Sequence, residues 1–150
     1  MDLLLWRHAD AEDPTPGGAD SARRLTAKGV KHAARVAAWL AARLPASARV
    51  IASPAERARQ TAAALSRSSE ISERLAVGAK PADVLEAAGW PAGDQTVIVV
   101  GHQPTLGAAA ALALTGKADP WRLRKGAVWW LRAVDGGPPL VVAVITPDLV

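Results

Sequence analysis

The chain has no cysteine and no asparagine among its 150 residues. The first absence excludes disulfides, thiolate metal sites and a cysteine nucleophile, and the second removes every acceptor for N-linked glycosylation. Phenylalanine and tyrosine are missing as well, so six Trp carry all of the aromatic packing. Long hydrophobic runs are also lacking. The longest, Leu106 to Leu114, is mostly Ala and falls far short of the roughly 20 residues that a membrane span requires. Met1 to Trp6 is too short for a signal-peptide core and has no basic residue ahead of it. These absences predict a soluble, cytoplasmic chain with no membrane partner.

Eighteen Lys and Arg against 14 Asp and Glu give a formal net charge of +4, a bias that attracts anionic substrates or phosphorylated partners. It does not predict a nucleic-acid partner. The basic residues are scattered from Arg7 to Arg132 without a run of five or six, and no zinc-finger spacing or aromatic RNA motif accompanies them. The length fits one domain spanning residues 1–150.

Strand and helix patterns alternate, which predicts an α/β sheet domain. Leu3-Leu4-Leu5-Trp6 reads as a buried strand ending at Arg7-His8, and a loop rich in Pro, Gly and Asp follows from Ala9 to about Arg24. From Thr26 to Pro45 the pattern is helical, with Val30, Ala33, Ala37, Leu40 and Leu44 on one face and Lys28, Lys31, Arg35 and Arg43 on the other. Trp39, one turn from Arg35 and Arg43, is expected to stack with them. Arg49 to Ala52 forms a second strand. Ser53-Pro54-Ala55-Glu56 then predicts a helix with Ser53 as its N-cap and Pro54 at its first position, running to about Arg67. A short helix is expected over Pro81 to Ala88, and Thr96 to Val100 is the clearest β-branched strand. An Ala-rich helix follows Gly101-His102-Gln103-Pro104 and ends where Gly116 can take the left-handed cap. Strands near Ala127 to Val134 and Leu140 to Ile145 flank the turn Asp135-Gly136-Gly137, with Trp129 and Trp130 on opposite faces.

Arg7-His8, Ser53 to Arg57 and His102 each lie just past the carboxyl end of a predicted buried strand. In a parallel sheet those ends share one edge, and ligands bind in the crevice outside it. The residue types suit phosphate. Arg57, near a helix N-terminus, can offer two parallel hydrogen bonds where backbone N–H groups and the helix dipole already favour an anion, and Arg7 can clamp from the other side. His8 can attack phosphorus if one ring nitrogen is bare, which requires the other to donate to a carbonyl. His102 can then donate to the phosphoryl oxygens as charge builds on them. His8, Arg7, Arg57 and His102 are therefore the expected catalytic residues, the last three also binding phosphate.

Four blocks carry a resemblance to a known family: Leu5 to Ala11 with its Arg-His pair, Arg23-Arg24-Leu25-Thr26-Ala27-Lys28-Gly29, Ser53-Pro54-Ala55-Glu56-Arg57-Ala58-Arg59-Gln60-Thr61, and Gly101-His102-Gln103-Pro104. In this order and at these separations they resemble the histidine phosphatase superfamily, in particular its short SixA-like phosphohistidine phosphatase branch. The resemblance implies a three-layer α/β/α sandwich with a mostly parallel central sheet. It also implies a transient phosphoryl group on His8 that water releases, with Arg7, Arg57 and His102 completing the pocket and no metal or other cofactor involved. Ala9 replaces the glycine usual in the family.

Longer members bring a Glu or Asp proton donor on an inserted segment for which this chain has no room. Asp10, Glu12 and Glu73 are the nearest carboxylates by position, each better read as a solvated surface group. An imidazole leaves phosphorus with less need of a proton than an alkoxide does, so the expected substrate is phosphohistidine in a protein. The alternatives are a small phosphorylated metabolite as substrate, or a non-catalytic module that binds phosphorylated ligands. The glycine fingerprints of Rossmann and P-loop folds follow none of the strands.

Overall fold

A computed structural model describes residues 1–150, and it holds six strands and four α-helices. The strands are β1 (Asp2–Arg7), β2 (Arg49–Ala52), β3 (Glu70–Ile71), β4 (Thr96–Gly101), β5 (Val128–Arg132) and β6 (Leu140–Ile145). The helices are α1 (Ala27–Ala41), α2 (Glu56–Ala63), α3 (Pro81–Ala88) and α4 (Thr105–Thr115). The sheet order is β3-β2-β4-β1-β5-β6, with the first four strands parallel and β5 antiparallel to both neighbours.

Side-chain alternation along the strands divides the core in two. Leu4, Trp6, Val50, Ala52, Ile98, Val100 and Trp130 pack on α1 and α2, while Leu3, Leu5, Ile51, Val97, Val99 and Leu131 pack on α3 and α4. The result is the expected three-layer α/β/α sandwich with a mostly parallel sheet. Burial on both faces explains why β1 and β4 read as continuous apolar runs. Trp129 and Trp130 do face opposite sides, Trp129 meeting Trp121 and Trp130 meeting Trp39 edge-on. Arg43 stacks over Trp39 as the helical spacing suggested.

Register brings the reactive strand ends level. Arg7 pairs with Gly101, and Ala52 pairs with Val100. The His8 amide donates to the Gly101 carbonyl at 3.0 Å and the Ser53 amide to the Val100 carbonyl at 3.0 Å. With β4 between β2 and β1, His102 leaves the sheet between Ser53 and His8.

Four local expectations need correction. α1 ends at Ala41 rather than running to Pro45, so Leu44 is buried from the turn that follows the helix and not from its face. Ser53 does not cap α2: the cap position is Ala55, which supplies no side-chain bond, and the Ser53 hydroxyl instead bonds His102 and accepts from the Ala55 amide. Arg57 is consequently the second residue of α2. That helix stops at Ala63 rather than Arg67, because the chain turns through Ser66 in the left-handed region, φ 53°. Val30 is 55% exposed rather than buried: it sits at the edge of the α1 stripe, opposite Ala63 and Ala64, whose side chains are too short to cover it. The two-residue β3 and the 3-10 turn Asp20–Ala22 are too short to show a periodicity.

α1 starts where Thr26 accepts a hydrogen bond from the Gly29 amide at 3.0 Å. A Cβ on Gly29 would lie 1.9 Å from the Asp10 carbonyl oxygen, so the glycine lets the helix lie against the strand-end loop. Alanine favours helix interiors over glycine by about 1 kcal/mol, yet Gly29→Ala should destabilise the protein by about 2 kcal/mol or more, because backbone rather than a flexible side chain must move. Urea unfolding of the two proteins checks this.

Candidate active site

The quartet expected from the sequence lies at the carboxyl edge of the sheet, and three of its members touch. His8, Arg57 and His102 are 7%, 3% and 5% exposed. The Arg57 Nε donates to His8 Nε2 at 3.3 Å, its NH2 group lies 3.4 Å from His102 Nδ1, and the two imidazole rings are 5.3 Å apart.

Arg7 sits differently. As the last residue of β1 it alternates to the face of Leu3 and Leu5, opposite to Trp6, and it makes no hydrogen bond to either imidazole, although its charge helps lower the pKa of both. Its NH1 donates to the Leu123 carbonyl at 2.8 Å, and its buried Nε has no partner. Burial and the nearby Arg122 push its pKa down.

His8 Nδ1 lies 2.8 Å from the Ala9 carbonyl oxygen. Because a carbonyl only accepts, Nδ1 carries the proton and Nε2 presents a lone pair. Burial, reinforced by His102, Arg57 and Arg7, pushes the His8 pKa to about 3 despite the hydrogen bond to Ala9. Burial and Arg57 likewise bring His102 down to about 4, with Asp20 opposing. Both rings are neutral at pH 7. The Ala9 methyl is fully buried, and its amide donates to Thr61 Oγ1 at 3.1 Å. Ala9 is not among the residues with positive φ, so the Cβ in place of the family's glycine costs no backbone strain.

His102 Nε2 is 2.7 Å from Ser53 Oγ. Since His102 Nδ1 faces an Arg57 donor, Nδ1 accepts and Nε2 donates to Ser53 in the free protein. To donate into the site, the ring must exchange tautomers. Ser53 permits this, because its hydroxyl can accept from Nε2 or rotate to donate to it.

Asp20, at the start of the 3-10 turn, was not a sequence candidate and is central here. Its carbonyl accepts from Arg57 NH1 at 2.8 Å and its Oδ2 from NH2 at 3.0 Å, while Arg23 holds the same carboxylate. Burial raises the Asp20 pKa, but the hydrogen bonds from Arg57 and Arg23 outweigh it, and the net shift is downward. An anionic carboxylate thus occupies the face of Arg57 that a phosphate would use.

The loop bearing Asp20 is tied down by the motif residues. Arg23 also donates to the Glu12 carbonyl, Ala11 bridges to Leu25, and the Leu25 amide donates to Gln60 on α2 at 2.7 Å. Thr61 donates to the Arg57 carbonyl at 2.8 Å. Gln103 donates to the Trp121 carbonyl at 2.6 Å. No spacing in the sequence signals the Asp20 contact.

Asp10 is bonded to Lys125 and Thr26, which lower its pKa, and Glu12 and Glu73 are exposed. No three His, Asp or Glu side chains cluster closely enough to hold a metal ion, and no helix is long and apolar enough to cross a membrane.

A sequence profile of the histidine phosphatase superfamily, branch 1, matches residues 3–78. The uncharacterized protein Rv1276c of Mycobacterium tuberculosis is 42% identical over 108 residues, covering 69% of this chain and 66% of its own length. The chain therefore spans just under two thirds of that relative. A candidate phosphohistidine phosphatase SixA from Nakamurella multipartitia superposes with a TM-score of 0.78 at 28% identity, covering 97% of this chain and 95% of that one. The protein histidine phosphatase SixA complexed with tungstate shares the fold at a TM-score of 0.81 and 23% identity, over 99% of both chains.

Two outcomes follow from the electrostatics. Both histidines have folded-state values below the 6.5 of an unfolded chain, so the unfolded state binds more protons below that pH. Their contribution to stability is intact above pH 6.5 and is lost as pH falls toward 4 and 3. Urea unfolding between pH 7.5 and 5 should show the decline, and His8→Ala should flatten it. Replacing Asp20 with Asn removes the charge that competes for Arg57. Inorganic phosphate or tungstate should then bind more tightly, by about tenfold if one charge-assisted contact of about 1.5 kcal/mol is relieved; calorimetric titration reads it.

Proposed function

The chain belongs to the histidine phosphatase superfamily, branch 1, and we propose that it is a phosphatase, spanning residues 1–150 as one domain, in which His8 takes the phosphoryl group from phosphohistidine in a protein. The observation that carries this reading is the His8 ring, with Nδ1–H fixed on the Ala9 carbonyl and a bare Nε2 turned toward Arg57.

The substrate phosphate displaces the Asp20 carboxylate and takes the Arg57 donors. His8 Nε2 attacks phosphorus as the bond from phosphorus to the leaving nitrogen breaks; the electron pair stays on that nitrogen, and the ring departs as neutral imidazole because its other nitrogen carries a proton taken from solvent. Arg57, Arg7 and the His102 Nδ1–H, after its tautomer exchange on Ser53, stabilise the equatorial oxygens. Water then attacks the phosphoryl group on His8, returning the electron pair to Nε2 and releasing phosphate. The restored lone pair readies the ring for another turn.

A phosphohistidine substrate is supported by the state of the carboxylates. Asp20 and Asp10 are held anionic by arginine and lysine, so neither brings a proton to an alkoxide. The SixA structures, one of which binds tungstate, are of proteins described as acting on phosphohistidine.

Rapid mixing with a phosphoryl-labelled phosphohistidine protein, quenched in alkali where phosphohistidine survives, should place label on the wild-type protein and none on His8→Ala. A missing proton donor is worth about 100-fold or more, so kcat/KM should favour phosphohistidine over a simple alkyl phosphate by at least that factor. Hydrolysis without a labelled intermediate, or equal turnover of the two substrates, overturns the reading.

A further inference from the structure

Arg7 and Gln103, the chain neighbours of His8 and His102, line a cavity of about 570 Å3 whose walls also include Lys28, Arg122, Arg124 and Lys125, with the carboxylates of Asp10 and Asp148. These five cations and two carboxylates leave +3 in one place, out of a net +4 for the whole chain. Lys125 pairs with Asp10 and Arg124 with Asp148, whereas Lys28 and Arg122 take part in no ion pair.

The charges are held in position relative to the site. Segment 122–125 is fastened at one end by Arg7, which donates to the Leu123 carbonyl, and at the other by Gly126, whose amide donates to the His8 carbonyl at 3.1 Å. Leu123 is buried between exposed Arg122 and Arg124. The basic surface also continues away from the strand ends. A second depression of about 250 Å3 is lined by Lys28, Lys31, His32 and Arg35, which lie at helical spacing along α1. From Lys28 to Arg35 the strip extends roughly 10 Å further.

This composition selects among ligands. Sites for small organic molecules are walled mostly by apolar and aromatic groups, and here Leu123 and Pro147 are the only apolar members. A single phosphate is too small for a strip of this length. Long exposed cations in an open trough match several spaced carboxylates, which a protein surface supplies. We infer that this trough docks the acidic face of the phosphorylated protein whose phosphoryl group is delivered to His8. The inference rests on the proposed function for its partner, and Arg7 links the two, because it lines the cavity while its charge acts on both imidazoles.

The test uses the pair Lys28→Ala/Arg122→Ala, two exposed unpaired cations outside the phosphate-binding groups. A control pair, Lys117→Ala/Arg43→Ala, removes equal charge beyond the carboxyl ends of α4 and α1, at the opposite end of the sheet. With an acidic phosphohistidine protein at low salt, the trough pair should raise KM by about tenfold while kcat and the turnover of free phosphohistidine stay unchanged, and the difference should vanish near 0.5 M salt, where screening shortens to a few Å. The control pair should change little.

A fluorescein-labelled deca-glutamate peptide, followed by anisotropy, separates the two readings. If the wild type binds it and the trough pair does not, docking stands even where phosphohistidine proteins prove not to be substrates, and only the proposed function fails. Equal binding by wild type and trough pair, or equal loss in the control pair, overturns the docking surface whatever the hydrolysis shows.

Discussion

A guanidinium carries its charge at any pH a folded protein meets, and burying one is tolerable only when its donors are satisfied and its charge is answered. Arg57 is buried to 3% exposure, and the candidate site is organised around that requirement. Its Nε is satisfied by the bare nitrogen of His8, and its NH2 by Asp20 with His102 close by. NH1 is satisfied by the Asp20 carbonyl. The same hydrogen bonds orient both imidazoles, so the groups proposed to handle phosphate hold one another in place before any phosphate arrives. The Asp20 carboxylate answers the charge in the free protein. A phosphate would answer it more fully, with two negative charges and more acceptor oxygens.

The sheet makes this arrangement possible by register rather than by proximity in sequence. Residues 8, 53 and 102 are separated by about fifty positions each way, yet β1, β4 and β2 are adjacent, parallel and level at their ends. Helix α2 then leaves β2 after three residues, which carries Arg57 back over the edge. The loop between β1 and α1 does the rest. Its two ends are pinned, by the bridge from Ala11 to Leu25 and by Gln60, and the 3-10 turn between them delivers Asp20 from the solvent side.

What could be read from the sequence follows the same division. Continuous apolar strands, the Thr26 cap and the glycine ending α4 are local signals, and the elements they mark are present with nearly the expected bounds. The convergence of His8, Arg57 and His102 was legible because parallel strands put their carboxyl ends on one edge. Ser53 misled because serine before proline has two uses, capping a helix or serving a side chain across the sheet, and the competing partner, His102, lies 49 residues away. Arg7 lies at the expected edge, on the Leu3 and Leu5 side of β1, where it bonds the Leu123 carbonyl rather than an imidazole. Asp20 escaped because its role depends on the path of a loop whose composition fixes flexibility and turn chemistry but not direction.

The concentration of positive charge also sets a chemical limit. Cations that stabilise a phosphoryl group lower the pKa of every carboxyl group near them, and Asp10 and Asp20 are both shifted down here. A proton donor for an alkoxide needs the reverse environment, apolar and remote from cations, to keep its proton at neutral pH. The two demands can be met together only if the acid is brought on a separate segment, away from the arginines. Without one, a site with this density of cations is suited to leaving groups that depart with little protonic assistance, and imidazole is such a group. The anion trap and the proposed preference for a phosphorus–nitrogen bond are then two consequences of the same electrostatic field.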